Sequence, residues 1–206
     1  NSILAFRTLG KSNIEFARDA FEDIAIRGDC DVVGIDVTSF FDELNHRILK
    51  EQWASLLNAD LLPDDHYRVF QSITRWSWVD RDKVYELFGI SPNNPKAGRH
   101  RICTPEQFRD QVRKGGIIET NKLKKGIPQG SPISALLSNL YMIDFDQEVH
   151  KFTSSIDGRY YRYCDDILLI VPPGYKNTAL DFVKDKIAGL QLSVHPKKTT
   201  EHEFRT

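Results

Sequence analysis

Two adjacent aspartates, Asp165 and Asp166, stand between a tyrosine-rich run at 159–163 and five aliphatic residues at 167–171, and a third, Asp36, sits near the end of the apolar run 31–37. Short β-branched or aromatic runs read as strands, and the spacing of the second and third is that of a hairpin. An arbitrary Asp-Asp pair in a hairpin more commonly serves the turn, but a solvated turn has no need of two acids between buried strands. If the first strand ends beside this hairpin, Asp36 and Asp165 meet. Carboxylates gathered at a sheet edge raise one another's pKa unless they share a cation. Mg²⁺ suits one or two carboxylates completed by water and substrate phosphates. Two such ions about 3.5–4 Å apart can activate an attacking hydroxyl and stabilise a leaving oxygen, which is phosphoryl-transfer chemistry.

A second candidate is Lys125-Gly126-Ile127-Pro128-Gln129-Gly130-Ser131-Pro132, a glycine-bearing segment that leads into a helix. Free N–H groups at a helix start favour an anion, and Gly130 lets backbone approach a ligand closely. Considered alone it is also an ordinary proline- and glycine-marked loop. Leu9-Gly10-Lys11-Ser12 ends like a phosphate-binding P-loop, but Ala5 occupies the place of the required first glycine, so that motif is rejected.

The elements that must position these residues follow from pattern. Ser12 and Glu15 have capping-box spacing, and Ile14, Ala17, Phe21, Ile24 and Ala25 continue a helical stripe to Gly28. Residues 31–37 are nearly all apolar, as in a strand covered on both faces. Leu44, Ile48, Leu49, Trp53, Leu56 and Leu57 share one helical face. Residues 58–125 break into short helices and loops at several prolines, around Trp76, Trp78, Tyr85 and Phe88. Ser131-Pro132 starts a long helix with an apolar face from Ile133 to Val149, and a short helix ending at Gly189 precedes a strand at 190–194. The order β-α, insert, α-β-β-α-β predicts an α+β fold: a ferredoxin-like antiparallel sheet of split β-α-β type, helices packed on one face, with a partly helical insert.

Taken together these segments resemble the reverse transcriptases of bacteria, the group formed by group II intron, retron and defence-associated enzymes. Val33-Gly34-Ile35-Asp36-Val37-Thr38-Ser39-Phe40-Phe41-Asp42 followed by His46 looks like the family's first catalytic block. Gly126-Ile127-Pro128-Gln129-Gly130-Ser131-Pro132 with Ser134, Ser138, Asn139 and Tyr141 is close to its most recognisable run, and Tyr163-Cys164-Asp165-Asp166 is its Tyr-x-Asp-Asp turn. Gly189-Leu190 with Lys198-Thr199, and Ala5-Phe6-Arg7 to Ser12, match flanking segments. The likeness covers nearly all of the chain. It implies a polymerase palm over 31–206, with an irregular basic insert at about 58–125 and a fingers-side helix segment at 1–30. Further fingers ahead of Ala5, and the primer grip and thumb beyond Glu203, are expected to be missing from this chain.

The same resemblance implies the chemistry. Asp36 and Asp165 would bind two Mg²⁺ ions, or Mn²⁺ as a substitute, with help from the Val37 carbonyl, and Asp166 completes the acidic cluster. A primer 3′-hydroxyl then attacks the α-phosphate of a deoxynucleoside triphosphate. Phe41 stands where the family places a ring against the sugar 2′ position, with a core phenylalanine as the competing role. Gln129 and Gly130 would line the nucleotide site, and Lys198 would neutralise or protonate pyrophosphate unless it is simply solvated like Lys197. The partners are an RNA template, a DNA or RNA primer and deoxynucleotides, with an associated noncoding RNA a further candidate. His46 reads as a structural helix residue.

Composition sets limits around this reading. With 206 residues, 40% hydrophobic and 28% charged, the chain can bury a core, and intrinsic disorder is excluded. No aliphatic run approaches the about 20 residues that a membrane helix needs, and no membrane partner is expected. Three dispersed cysteines suggest neither zinc nor disulfides, and with no secretory signal a reducing, cytoplasmic location is expected. The net charge of −1 conceals a stretch at 96–125 with nine Lys or Arg against three Asp or Glu, a candidate for phosphate contact. Two other readings stand beside the polymerase: a noncatalytic palm-fold module that binds RNA, and a palm-fold nucleotidyl cyclase.

Overall fold

The computed structural model describes residues 2–205; Asn1 and Thr206, the outermost residues of the segments expected at 1–30 and 31–206, lie outside the described residues. In chain order the elements are α1 (Asn13–Arg27), β1 (Cys30–Asp36), α2 (Phe40–Glu43), α3 (His46–Leu56), α4 (Asp64–Thr74), β2 (Ser77–Val79) and α5 (Arg81–Leu87). They continue with α6 (Pro105–Gln107), which runs into a π-helical turn at Phe108–Arg113, then β3 (Ile118–Thr120), α7 (Pro132–Tyr141), α8 (Ile143–Ser155), β4 (Arg159–Tyr163), β5 (Asp166–Val171), α9 (Lys176–Gly189) and β6 (Thr200–Phe204). None of the described helices is long and apolar enough to cross a membrane, and the three cysteines are free.

The main sheet has the order β4-β5-β1-β6, antiparallel throughout. Placing β1 between β5 and β6 is the split β-α-β arrangement expected from the element order. Successive residues of β1 serve opposite faces. Val33, Ile35 and Val37 join Leu137, Tyr141 and Phe145 of the helical layer in the large core, where Val183 and Ile187 of α9 also pack. Cys30 and Val32 face the other way, against Ile24 of α1 and Ile170. So α7, α8 and α9 cover one face as expected, and α1 covers part of the second. Its first turn is the capping box: the Glu15 N–H donates to the Ser12 hydroxyl, and the Ser12 N–H donates to the Glu15 carboxylate at 2.7 Å.

Three sequence expectations need correction. The last strand is β6 at 200–204, not 190–194; that segment contributes only a bridge between Val37 and Val194. Every residue of β6 is exposed, so an edge strand without apolar alternation left no periodic signal. The long helix expected from Ser131 onward is two, because Met142 leaves helical geometry (φ −95°, ψ 5°) while its side chain stays fully buried. The insert also contains a small sheet, β2 paired with β3, whose strands are three residues each and too short to show a period.

One charged pair lies inside the fold. The Arg162 side chain is 0% exposed and Asp146 8%. Arg162 Nε and Nη2 donate to the two Asp146 carboxylate oxygens at 2.7 and 2.6 Å, and Nη1 donates to the Cys164 carbonyl at 2.9 Å. The Tyr160 hydroxyl donates to Asp146 Oδ1 at 2.5 Å, and burial, reinforced by that carboxylate, pushes its pKa well above the usual value. α8 is thereby fastened to the β4–β5 turn. Breaking such a pair from one side leaves an unpaired buried charge, which costs about 3–5 kcal/mol, whereas replacing both partners by apolar groups costs far less. Arg162→Met is therefore expected to lower unfolding free energy in urea by about 3–5 kcal/mol, and adding Asp146→Leu to recover part of it. A double variant less stable than the single one would contradict this account.

Candidate active site

The register of β1 on β5 sets Asp36 directly across from Asp166. The Val37 N–H donates to the Asp165 carbonyl at 3.1 Å, so the 36/166 pair falls between ladder bonds, where facing side chains come closest. The sequence placed both neighbouring aspartates in the turn. In the structure only Cys164 and Asp165 form it, and Asp166 is the first residue of β5, paired with Tyr163 on its other side. Cys164 takes the left-handed conformation at φ 59°, as a two-residue hairpin turn requires of its first residue. Its side chain is buried, and burial, with the Asp165 carboxylate adding to it, pushes the thiol up to about 12.

Like charges across a strand pair destabilise it, and here one cation answers them. Lys198 Nζ lies 2.9 Å from Asp36 Oδ2, with side chains 60% and 15% exposed respectively. The segment after α9 delivers this lysine. The His195 N–H donates to the Asp36 carbonyl at 2.8 Å, and the Lys198 N–H closes a turn on the His195 carbonyl at 3.1 Å. Of the two adjacent lysines, Lys198 is thus the one aimed at the carboxylates. The hydrogen bond and the charge of Asp36 raise its ammonium pKa. Desolvation first, then Asp165 and Asp36, push the Asp166 carboxyl up, and Lys198 opposes them.

The Gly126–Ser131 loop is zipped to the residues that follow β1. The Ile127 N–H donates to the Phe41 carbonyl and the Gly126 N–H to the Leu44 carbonyl, both at 2.9 Å. His46 Nε2 donates to the Gly126 carbonyl at 2.7 Å, and burial pushes the imidazole pKa down, keeping the ring neutral. Gly126 sits at φ 87°, where a Cβ would come within 2.9 Å of the Asp42 carbonyl oxygen, so only glycine fits this approach. Phe40 is buried; Phe41 is half-buried with its ring edge-on to Phe40 at 5.5 Å. Gln129 and Gly130 are exposed ahead of α7, and Ser134 Oγ donates to the Pro128 carbonyl at 2.6 Å, bracing the loop. Sequence reasoning missed the Lys125–Glu43 ion pair at 2.6 Å, which ties the same two segments.

Beside the carboxylates a crevice of about 610 Å³ runs along the α1 face of the sheet, with Asp36, Asp166 and Lys198 at one end and Phe16, Tyr161 and Tyr163 along its walls. The structure thus brings Asp36, Asp166 and Lys198 together and sets Asp165 in the adjoining turn. Phe41, Gln129 and Gly130 lie outside this lining. Among the described residues no three His, Cys, Asp or Glu side chains form a ready metal cluster. The donors that come together there, the carboxylates of Asp36 and Asp166, are hard oxygens, which fit a cation that takes one or two carboxylates and draws the rest of its shell from water and substrate.

No curated protein sequence matches the chain. Among solved structures it is similar to an apo telomerase from Candida tropicalis truncated from its C-terminal domain, with a TM-score of 0.57 and 20% identity over 100% of this chain and 36% of that one. It is also similar to telomerases in complex with a TWJ fragment of telomeric RNA. For that of Candida tropicalis the TM-score is 0.55 at 20% identity over 98% of this chain and 30% of the other; for Candida albicans it is 0.55 at 14% over 98% and 32%. The chain therefore spans about a third of the length of these relatives, and at such identities the likeness shows the fold. The family model for reverse transcriptase (RNA-dependent DNA polymerase) matches residues 6–204, and the chain, whose palm sheet ends in facing aspartates, belongs to that family.

Proposed function

We propose that this chain is the catalytic palm of an RNA-directed DNA polymerase, and the observation that carries the reading is Asp36 facing Asp166 across the strand pair with Lys198 between carboxylate and solvent. Asp36, Asp165 and the Val37 carbonyl are the residues to hold two divalent ions, Mg²⁺ foremost. Those ions, when bound, lower the pKa of the attacking hydroxyl and stabilise the leaving oxygen.

The remaining tasks fall to the chain itself. Asp166 adds negative charge that favours cation entry. Lys198, held as an ammonium, is placed to give its proton to departing pyrophosphate. Phe41 presents a ring edge that a ribose 2′-hydroxyl would strike, and Gln129 with Gly130 offers backbone to the incoming nucleotide ahead of the α7 N-terminus. Template, primer and deoxynucleotides are the partners, with residues 1–30 as the fingers side and 31–206 as the palm. The likeness of the ordered motifs supports a bacterial enzyme of the retron, intron or defence group, with the long insert favouring the defence-associated members over the intron-encoded ones, acting in the cytoplasm with an associated noncoding RNA as a further partner.

Primer extension on an RNA template by the full-length protein tests the reading. Extension is expected to require Mg²⁺, to stop on chelation, and to fall to background in Asp36→Asn and Asp165→Asn; incorporation that survives both substitutions would exclude it. Lys198→Met is expected to lower kcat by about 10²-fold or more, as loss of a general acid does. Phe41→Ala is expected to raise ribonucleotide use relative to deoxynucleotide by about tenfold or more, the scale of one steric group in a pocket. An unchanged ratio would return Phe41 to the core.

A further inference from the structure

A second cavity, of about 740 Å³, lies between α3, α4 and the segment that follows β3, and shares no lining residue with the crevice beside Asp36. Five cations line it: Arg47 and Lys50 from α3, Arg75 at the end of α4, and Lys122 and Lys124 after β3. No Asp or Glu does. Arg47 is paired with Glu51 one turn along its own helix. Among the described residues Lys50, Arg75, Lys122 and Lys124 have no carboxylate partner. Cations converging on a concavity without counter-charge repel one another, and an anion relieves that cost.

The floor is rigid. Asn121 is buried, and its side-chain amide donates to the carbonyls of Thr74 at 3.2 Å and Lys125 at 2.9 Å, pinning the lysine-bearing segment to the end of α4. One aromatic face is on offer: Tyr67 is 40% exposed at the cavity, its ring parallel to that of Phe70 beneath it (6.1 Å, 17°). Four unpaired cations exceed what one phosphate needs. Repeated negative charge beside a flat apolar surface is the chemistry of a polynucleotide strand, and only an unpaired base has a face free to stack.

We propose that this cavity binds a stretch of single-stranded nucleic acid, with its phosphates on Arg75, Lys122 and Lys124 and an unpaired base on the Tyr67 ring. The site holds a strand away from the catalytic carboxylates, so it functions whether or not the aspartates support synthesis.

The test uses the full-length protein and a fluorescent oligouridylate of roughly 12 nucleotides, within the span of known single-strand sites, followed by anisotropy across a salt series. Arg75, Lys122 and Lys124 are exposed, so the triple variant R75Q/K122Q/K124Q is expected to keep the wild-type melting temperature. It is expected to bind the strand at least about tenfold more weakly and to lose about two from the slope of log K against log salt, three phosphate contacts at about 0.7 each. Tyr67→Ala is expected to weaken binding about five- to a hundredfold, with Tyr67→Phe close to wild type. Affinity and slope unmoved by the triple variant would overturn the proposal. Uridine monophosphate competing as well as the oligomer at equal nucleotide concentration would also overturn it, in favour of a mononucleotide site. Asp165→Asn separates the two readings. Extension lost there with strand binding retained supports both sites. No extension by the wild type, with binding still sensitive to the triple variant, sinks only the catalytic reading. Normal extension with insensitive binding sinks only this one.

Discussion

Asp36 and Asp166 occupy a non-hydrogen-bonded position of an antiparallel pair, the closest approach that two cross-strand side chains have. Two carboxylates there weaken the very ladder that sets them side by side. The fold can hold them only if the strands are fixed by other means and a cation is near. Strand register does the first: a slip of one residue would send Val33 and Ile35 to the opposite face and the aspartates with them. Because Val33 is 0% exposed and Ile35 3%, such a slip would tear apart the core under α7 and α9. Burial on one face thus dictates the placement of charge on the other.

The supports around this pair come from distant parts of the chain. Arg162 holds the Cys164 carbonyl from below and is itself held by Asp146 of α8, so the turn that carries Asp165 rests on a buried ion pair. From the other side the His195 N–H grips the Asp36 carbonyl. Gly126 and Ile127 lace the loop ahead of α7 to Phe41 and Leu44. Each support is a backbone carbonyl held by a donor, which fixes geometry, and the one charged donor, Arg162, has its charge answered by Asp146.

Much of this was legible in the sequence wherever a pattern repeats. The apolar run of β1, the aliphatic run of β5 and the capping box of α1 identified themselves, and the element order then implied the sheet. The apolar stripe of α1 did not mark its buried face, since Ile14 and Phe21 are exposed and only Ile24 of it is buried, beside Ala20. The carboxylates were legible because acids between buried strands conflict with local preference, and such conflicts mark functional sites. What stayed hidden had no period or depended on a distant partner. Thr200–Phe204 is a polar edge strand paired with β1, with Glu201 and Glu203 held by Lys176 of α9. Arg162 looks like any strand arginine until Asp146, a helix residue, is seen beneath it. Lys198 and Lys197 are equivalent as letters, and only the turn on His195 tells them apart.

Charge distribution explains why binding and chemistry call for separate surfaces. A chain with a net charge of −1 has no overall attraction for a polyanion. The end of the sheet where Asp36, Asp165 and Asp166 gather repels phosphate until cations fill it, and Lys198 alone cannot reverse three acids. Attraction must then come from cations kept beyond the reach of those carboxylates, since nearby ones would be drawn into pairs as Lys198 is. Lys50, Arg75, Lys122 and Lys124 meet that condition, on elements that contribute nothing to the acidic crevice. Their freedom from partners is costly within the folded chain alone, and it becomes favourable once a strand of opposite charge lies against them.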